Sequence, residues 1–152
     1  MRPDLILIAN ASEARLLSRD AATAGLLALE SLRPADGKAA AGAHRSVQSD
    51  PGVPLDPRRR RMRAFAAVVA QYVEQRLADG QFAKLALFAA CPFLGELMRQ
   101  LGRPTKDAMR AVVDADISDL GWDEAAQRIE AELHAAAQDA GRGRRSRKPQ
   151  PT

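Results

Sequence analysis

Cysteine and aromatic residues are both scarce in this sequence: Cys91 is its only cysteine, and aromatics are 4% of the chain. One cysteine cannot form an internal disulfide, which indicates a reducing compartment. Aliphatic residues, chiefly alanine and leucine, must therefore fill the core. The apolar run at residues 5–9 is too short for a secretory signal, and no run approaches membrane-spanning length. We expect a cytoplasmic protein with no membrane partner.

No complete catalytic motif is present either. The two histidines, His44 and His134, are too isolated from each other to be proposed as a metal pair. A zinc site needs three or four ligands, and no Ser-His-acid set can be assembled. We therefore expect no metal, no other cofactor and no catalytic residue, which favours a binding protein over an enzyme.

Three further side chains can be interpreted either as reactive or metal-binding groups or as ordinary structural residues. Cys91 precedes a predicted helix, where the pKa of a thiol can fall, but a half-buried and unreactive thiol is the simpler interpretation. Asp114 and Asp116 are two apart in a predicted strand and so share a face, as metal ligands do. Solvated acids that discourage pairing at a sheet edge are the simpler interpretation for that pair.

The positive charge is unevenly distributed. Residues 1–140 carry 18 basic and 19 acidic side chains, a net charge of −1. Residues 141–152 carry no acid and five basic side chains, which are Arg142, Arg144, Arg145, Arg147 and Lys148. We expect residues 1–140 to form one folded domain and residues 141–152 to be a basic, disordered tail, which either binds RNA phosphates or only aids solubility.

The first third of the chain suggests strands. Residues 5–9 and 26–32 are apolar enough for strands, with Leu27 and Leu29 on one face. Between them, residues 14–18 fit either a second strand after a turn at Asn10 or a helix capped by Ser12. Residues 33–55 then contain many prolines and glycines without periodicity, which predicts a mobile loop.

Helices and strands alternate in the remainder. Asp56-Pro57 is a helix start, an apolar stripe follows, and Gly80 is a stop. Residues 82–90 are nearly all apolar, which is typical of a strand covered on both faces. We predict a helix from Pro92 to Gly102, a short turn from Pro104, a strand over 111–117 and a helix from Trp122 to Gly141.

This order predicts a single α/β domain. We expect a mixed sheet of about five strands, antiparallel at its N-terminal hairpin and parallel where strands and helices alternate. Two long helices and one shorter helix pack on it.

Four stretches resemble the bacterial family of host attachment proteins, which are described as required for attachment to host cells. They are residues 8–11 (IANA) with 14–16 (ARL), Asp56-Pro57 with Phe65-Ala66, residues 85–95 (LALFAACPFLG), and residues 112–118 (VVDADIS) with Leu120. That family is similar to the middle domain of archaeal and eukaryotic peptide-chain release factors. The resemblance favours the hairpin at Asn10 and implies contact with ribosomal RNA or tRNA.

One departure bears on activity. Release factors act through a Gly-Gly-Gln loop, whereas the corresponding loop here has Gln48 with no glycine pair before it. Glycine lets backbone approach a substrate closely, so we expect no peptidyl-tRNA hydrolysis. His44, Arg45 and Gln48 are the candidate functional residues of this loop.

The candidate RNA-binding residues are basic. Arg58, Arg59, Arg60, Arg61 and Arg63 lie at the start of a predicted helix, where cations oppose the helix dipole. They either bind RNA phosphates, together with the five basic residues of the tail, or form a solvated helix turn. The alternative function is a protein-interaction factor that acts indirectly in attachment.

Overall fold

Five strands and four helices make up the fold in this computed structural model, which describes residues 2–34 and 56–146, with side chains through residue 140. The elements in chain order are β1 Asp4–Ala9, β2 Ala14–Arg19, β3 Leu26–Leu32, α1 Pro57–Ala78, β4 Leu85–Ala89, α2 Phe93–Gln100, α3 Arg103–Asp107, β5 Met109–Val113 and α4 Trp122–Ser146.

The strands form one mixed sheet in the order β3-β2-β1-β4-β5. β2 is antiparallel to both β1 and β3, while β1, β4 and β5 are mutually parallel neighbours. The parallel part arises because helices separate β3, β4 and β5 along the chain, as crossover connections require. The predicted fold class, a single α/β domain with a mixed five-stranded sheet, is confirmed.

The strand predicted within residues 82–90 is β4, and all five of its residues are buried. Leu85, Leu87 and Ala89 belong to a core that α1 and α2 cover. Ala86 and Phe88 face the other core, with Ile129 and Leu133 of α4. Because both faces of β4 are covered, the strand is a continuous apolar run without polar alternation.

Helix α1 begins and ends as predicted. The Asp56 carboxylate accepts a hydrogen bond of 2.8 Å from the Arg59 N–H, and Pro57 occupies the first turn, where its missing N–H costs nothing. Gly80 follows the helix with φ of +76°, a conformation that favours glycine.

The predicted strand over 111–117 is wrong in its bounds. β5 covers Met109–Val113, so Asp114 and Asp116 follow the strand and do not share one of its faces. The Asp114 carboxylate accepts the Cys91 N–H at 3.1 Å, and the Asp116 carboxylate accepts the Ser118 N–H at 3.0 Å. The Asp116 bond stabilises a local turn in place of further strand pairing, and the Asp114 bond links this segment to the residue before Pro92.

Leu27 and Leu29 share a face of β3, as predicted, because Leu27 pairs with Ser18 and Ser18 pairs with Leu5 of the core that Leu29 contacts. The register between β2 and β3 shifts at Leu16/Leu17, which gives β3 one extra residue. A bulge of this kind changes the alternation of side chains. The extra residue is Leu29, which packs on the core, whereas Leu27 on the same face is 64% exposed.

Helix α4 continues to Ser146, so the helix end predicted at Gly141 is wrong. An interior glycine costs a helix only about 1 kcal/mol. The arginines that follow Gly141 are good helix formers, and cations near a helix C-terminus interact favourably with its dipole. The tail beyond residue 146 and most of the predicted loop 33–55, including His44, Arg45 and Gln48, lie outside the described residues.

Leu87→Ala should lower the free energy of unfolding by about 2–5 kcal/mol, because it opens a cavity between β4 and its covering helices. The matched control is Leu27→Ala, also a strand leucine but exposed, which should cost less than about 0.5 kcal/mol. Urea unfolding followed by circular dichroism measures both. Equal losses in the two variants would contradict the burial of β4 that the fold requires.

Candidate nucleic-acid interface

The parallel strands β1, β4 and β5 end at one edge of the sheet, and α1 and α2 begin beside it. The start of α2 lies beside the third turn of α1, where the Phe65 and Phe93 rings are 5.9 Å apart. In open α/β sheets, ligands bind outside the carboxyl ends of the strands. This carboxyl edge is therefore the first place to look for functional side chains.

Asn10 connects two loops at the carboxyl edge. Its Oδ1 accepts the N–H groups of Ser12 and Glu13, at 2.7 and 2.9 Å. Its Nδ2 donates to Ser118 Oγ at 2.9 Å and to Asp116 Oδ2 at 3.3 Å. The first pair of bonds forms an Asx turn, which explains why the chain makes a hairpin and not a helix after Asn10.

Asp116 is a structural acceptor in this connection. Partial burial raises the pKa of its carboxyl, but hydrogen bonds from Ser118 and Asn10 together outweigh that effect and lower the pKa. The carboxylate is therefore ionised at neutral pH, and it accepts hydrogen bonds from the two loops that it joins.

Cys91 is exposed at the same edge, not half-buried as expected. A hydrogen bond with the Asp114 carboxylate, followed by desolvation and charge repulsion, raises the pKa of its thiol. The thiol is protonated at neutral pH and is a poor nucleophile. Within the described ranges, no group of three or more His, Cys, Asp or Glu side chains could hold a metal ion.

The five predicted arginines of α1 lie together on its first two turns, but they are not equivalent. Arg58, Arg59 and Arg61 are exposed, and their side chains make no ion pair or hydrogen bond within the part of the chain that the structure describes. We call these three side chains the arginine cluster. Arg60 is half-buried, and Arg63 Nε lies 3.4 Å from Glu96 Oε1 on α2. Arg63 is therefore engaged inside the protein.

The predicted tail residues are divided by the end of α4. Arg142, Arg144 and Arg145 lie in its last turns, but their side chains are not described. Arg147 and Lys148 lie outside the described residues. A contribution of the tail to binding stays a prediction.

Sequence reasoning did not identify Asn10 as a link between loops or Glu96 as a partner of arginines. The only local signal for Asn10 was a turn residue two positions before Ser12, which indicated the hairpin but not the bond to Ser118. Glu96 and Arg63 are 33 residues apart, so no helical spacing could pair them.

The architecture is that of a three-layer α/β module with a basic helix start at the carboxyl edge of its sheet. The chain belongs to the family described as "Protein required for attachment to host cells", which it matches over residues 5–129. A comparison with curated proteins finds no significant match. Among the described helices, none has the length and apolar character needed to cross a membrane.

Asp114→Asn should speed alkylation of Cys91, because it removes the carboxylate that raises the pKa of the thiol. The fraction present as thiolate at about pH 8 increases roughly tenfold for each unit by which the pKa falls. The rate of iodoacetamide labelling across pH measures the change, and the single cysteine makes the signal unambiguous. The control is Asp116→Asn, which should leave the rate unchanged; equal rates in all three proteins would contradict the contact.

Proposed function

We propose that this protein is a non-catalytic module that binds RNA, specifically ribosomal RNA or tRNA, through the arginine cluster at the start of α1. The observation that carries the proposal is the state of those three guanidinium groups, which are exposed and have no partner within the described residues. Family membership gives the fold and its link to attachment, and the RNA contact goes beyond it.

The position of the arginine cluster supports an anionic partner. Cations in the first turn of a helix oppose its dipole by a few tenths of a kcal/mol each, and the acid that offsets them at the start of α1 is the capping Asp56, with none inside the first turn itself. Guanidinium groups bind phosphate through two parallel hydrogen bonds, and their weak hydration keeps the cost of transfer to a partner low. A phosphate backbone would therefore use groups that have no partner in the described part of the chain.

Ribosomal RNA or tRNA is proposed as the RNA because of the resemblance to the middle domain of release factors. Hydrolysis of peptidyl-tRNA is not part of the proposal, since the loop has no glycine pair before Gln48. The described side chains at the carboxyl edge agree with this, because the Cys91 thiol is protonated and Asp116 is occupied by hydrogen bonds. The role of His44, Arg45 and Gln48 stays a prediction.

Replacing Arg58, Arg59 and Arg61 together by alanine should weaken RNA binding at least tenfold at low salt. If each arginine contacts one phosphate, the slope of log K against log salt should become shallower by about 2 to 3. Fluorescence anisotropy with a labelled tRNA and sedimentation with ribosomes measure the two effects. The control removes three cations outside residues 56–107, at Arg15, Arg33 and Arg128, and should bind almost as the wild type does.

Two results would contradict the proposal. One is failure of the wild-type protein to sediment with ribosomes and to bind tRNA at low salt. The other is an equal loss in the cluster variant and in the control, since that would attribute binding to net charge alone.

The family description favours a second candidate, a protein-interaction factor that acts indirectly in attachment to host cells. A pull-down after nuclease treatment separates the two candidates. Recovery of one defined protein, unaffected by nuclease and by the loss of the arginine cluster, would favour this candidate over RNA binding.

A further inference from the structure

The two helical layers of the fold carry opposite charge. Residues 56–107, which contain α1, α2 and α3, have ten basic and five acidic side chains, a net charge of +5. Residues 114–140, which contain the last loop and most of α4, have one basic and eight acidic side chains, a net charge of −7. Because α1 and α2 cover one face of the sheet and α4 covers the other, the sheet separates these charges.

The positive layer has exposed cations beyond the arginine cluster. Arg99 on α2 has a side chain that is 68% exposed, and Arg103 and Lys106 on α3 are also exposed. Exposed acids on this layer are at its margins. Asp56 caps α1, while Asp79 and Asp107 lie at the ends of α1 and α3.

A buried carboxylate connects the arginines of α1 to those of α2. Glu96 is only 5% exposed, and its two oxygens contact different cations. Oε1 lies 3.4 Å from Arg63 Nε, and Oε2 lies 3.6 Å from Arg99 Nη1. Arg99 is therefore held beside the first turns of α1 although its guanidinium reaches solvent.

A second carboxylate fixes α3 against α1. Glu74 Oε2 accepts the Gly102 N–H at 2.6 Å and the Thr105 hydroxyl at 3.2 Å, so α1 satisfies polar groups at the start of α3. This contact fixes the part of the chain that carries Arg103 and Lys106. The cations of all three helices thus sit on elements that are fixed relative to one another.

We propose that the RNA interface extends from the arginine cluster across Arg99 to Arg103 and Lys106, and that its ligand is the phosphate backbone of one RNA strand. The proposal rests on the function proposed above and extends it. Thirteen residues of α1 separate Arg61 from Glu74, which is about 20 Å at 1.5 Å per residue. At 3.4 Å per nucleotide of one strand, this length matches about six nucleotides.

The chemistry of the positive layer determines which features of RNA it can recognise. The side chains of the proposed interface are cations, and this layer has no exposed aromatic side chain among its described residues. Binding without aromatic stacking depends on phosphates and is insensitive to base sequence. Residues 114–140 on the opposite face are acidic and repel RNA, and this separation of charge orients the protein during encounter.

The extended interface is tested by replacing Arg99, Arg103 and Lys106 together by alanine. This variant is compared with the wild type, with the arginine cluster variant and with the control variant defined above. Each protein is titrated with labelled RNA oligonucleotides of about 3, 6 and 12 nucleotides and mixed sequence. The wild-type affinity should rise at least tenfold between the shortest and middle probes. The new variant should lose most of that gain while it binds the shortest probe almost normally.

The outcomes separate the two proposals. Normal length dependence in the Arg99, Arg103 and Lys106 variant, with loss of binding in the cluster variant, overturns the extension and leaves the proposed function intact. Absence of binding in the wild type overturns both. A second variant, Arg99→Lys with Arg103→Lys, retains Lys106 and all three positive charges. It should show the length dependence of the wild type, which separates loss of charge from misfolding. Circular dichroism checks that each variant is folded.

Discussion

Strands β1 and β4 are buried on both faces, and the rest of the structure depends on that burial. Backbone polar groups in such a position are satisfied by neighbouring strands, so β1 and β4 pair with each other and with β2 and β5. Helical layers must then cover both faces, which places α1 and α2 on one side and α4 on the other. The side chains that could bind a partner can only lie on the outer surfaces of these layers or at the strand ends.

Charged groups at the opposite edge of the sheet, where β1 begins, illustrate what a purely structural role requires. Asp4 is 1% exposed, and its carboxylate accepts a hydrogen bond of 2.9 Å from Arg110 of β5 and lies 3.7 Å from Arg19 of β2. Arg19 also donates to Glu130 of α4, and this hydrogen bond lowers the pKa of the Glu130 carboxyl and raises that of the guanidinium. A buried charge is tolerated when it is paired in this way. Arg58, Arg59 and Arg61 have no such pairing within the described residues, which distinguishes them from arginines that stabilise the fold.

Sequence reasoning succeeded where one local rule determined the structure. The apolar run around β4 and the Asp56-Pro57 helix start each agreed with neighbouring signals, and both were confirmed. It failed where contacts between distant residues decided the outcome. β5 ends at Val113, and the next residue, Asp114, accepts the N–H of Cys91, 23 residues away. The bulge in β3 similarly depends on its pairing with β2. At the candidate site, the arginines at the start of α1 could be recognised as a run. Only the structure shows that Arg63 is paired with Glu96 of α2, while Arg58, Arg59 and Arg61 have no partner within the described residues.

The asymmetry of charge between the layers has no stabilising role that the contacts reveal. Like charges on one layer repel, and separating ten cations from eight acids forgoes attractions that an intermixed surface would have. The cost is small because exposed pairs contribute little to stability, so selection for folding alone does not remove the pattern. Yet the two carboxylates inside the positive layer, Glu96 and Glu74, are placed where they fix its helices while leaving the outer guanidinium groups in solvent. Internal acids and external cations on the same helices form a rigid positive surface, which an anionic polymer can neutralise without any change in the fold.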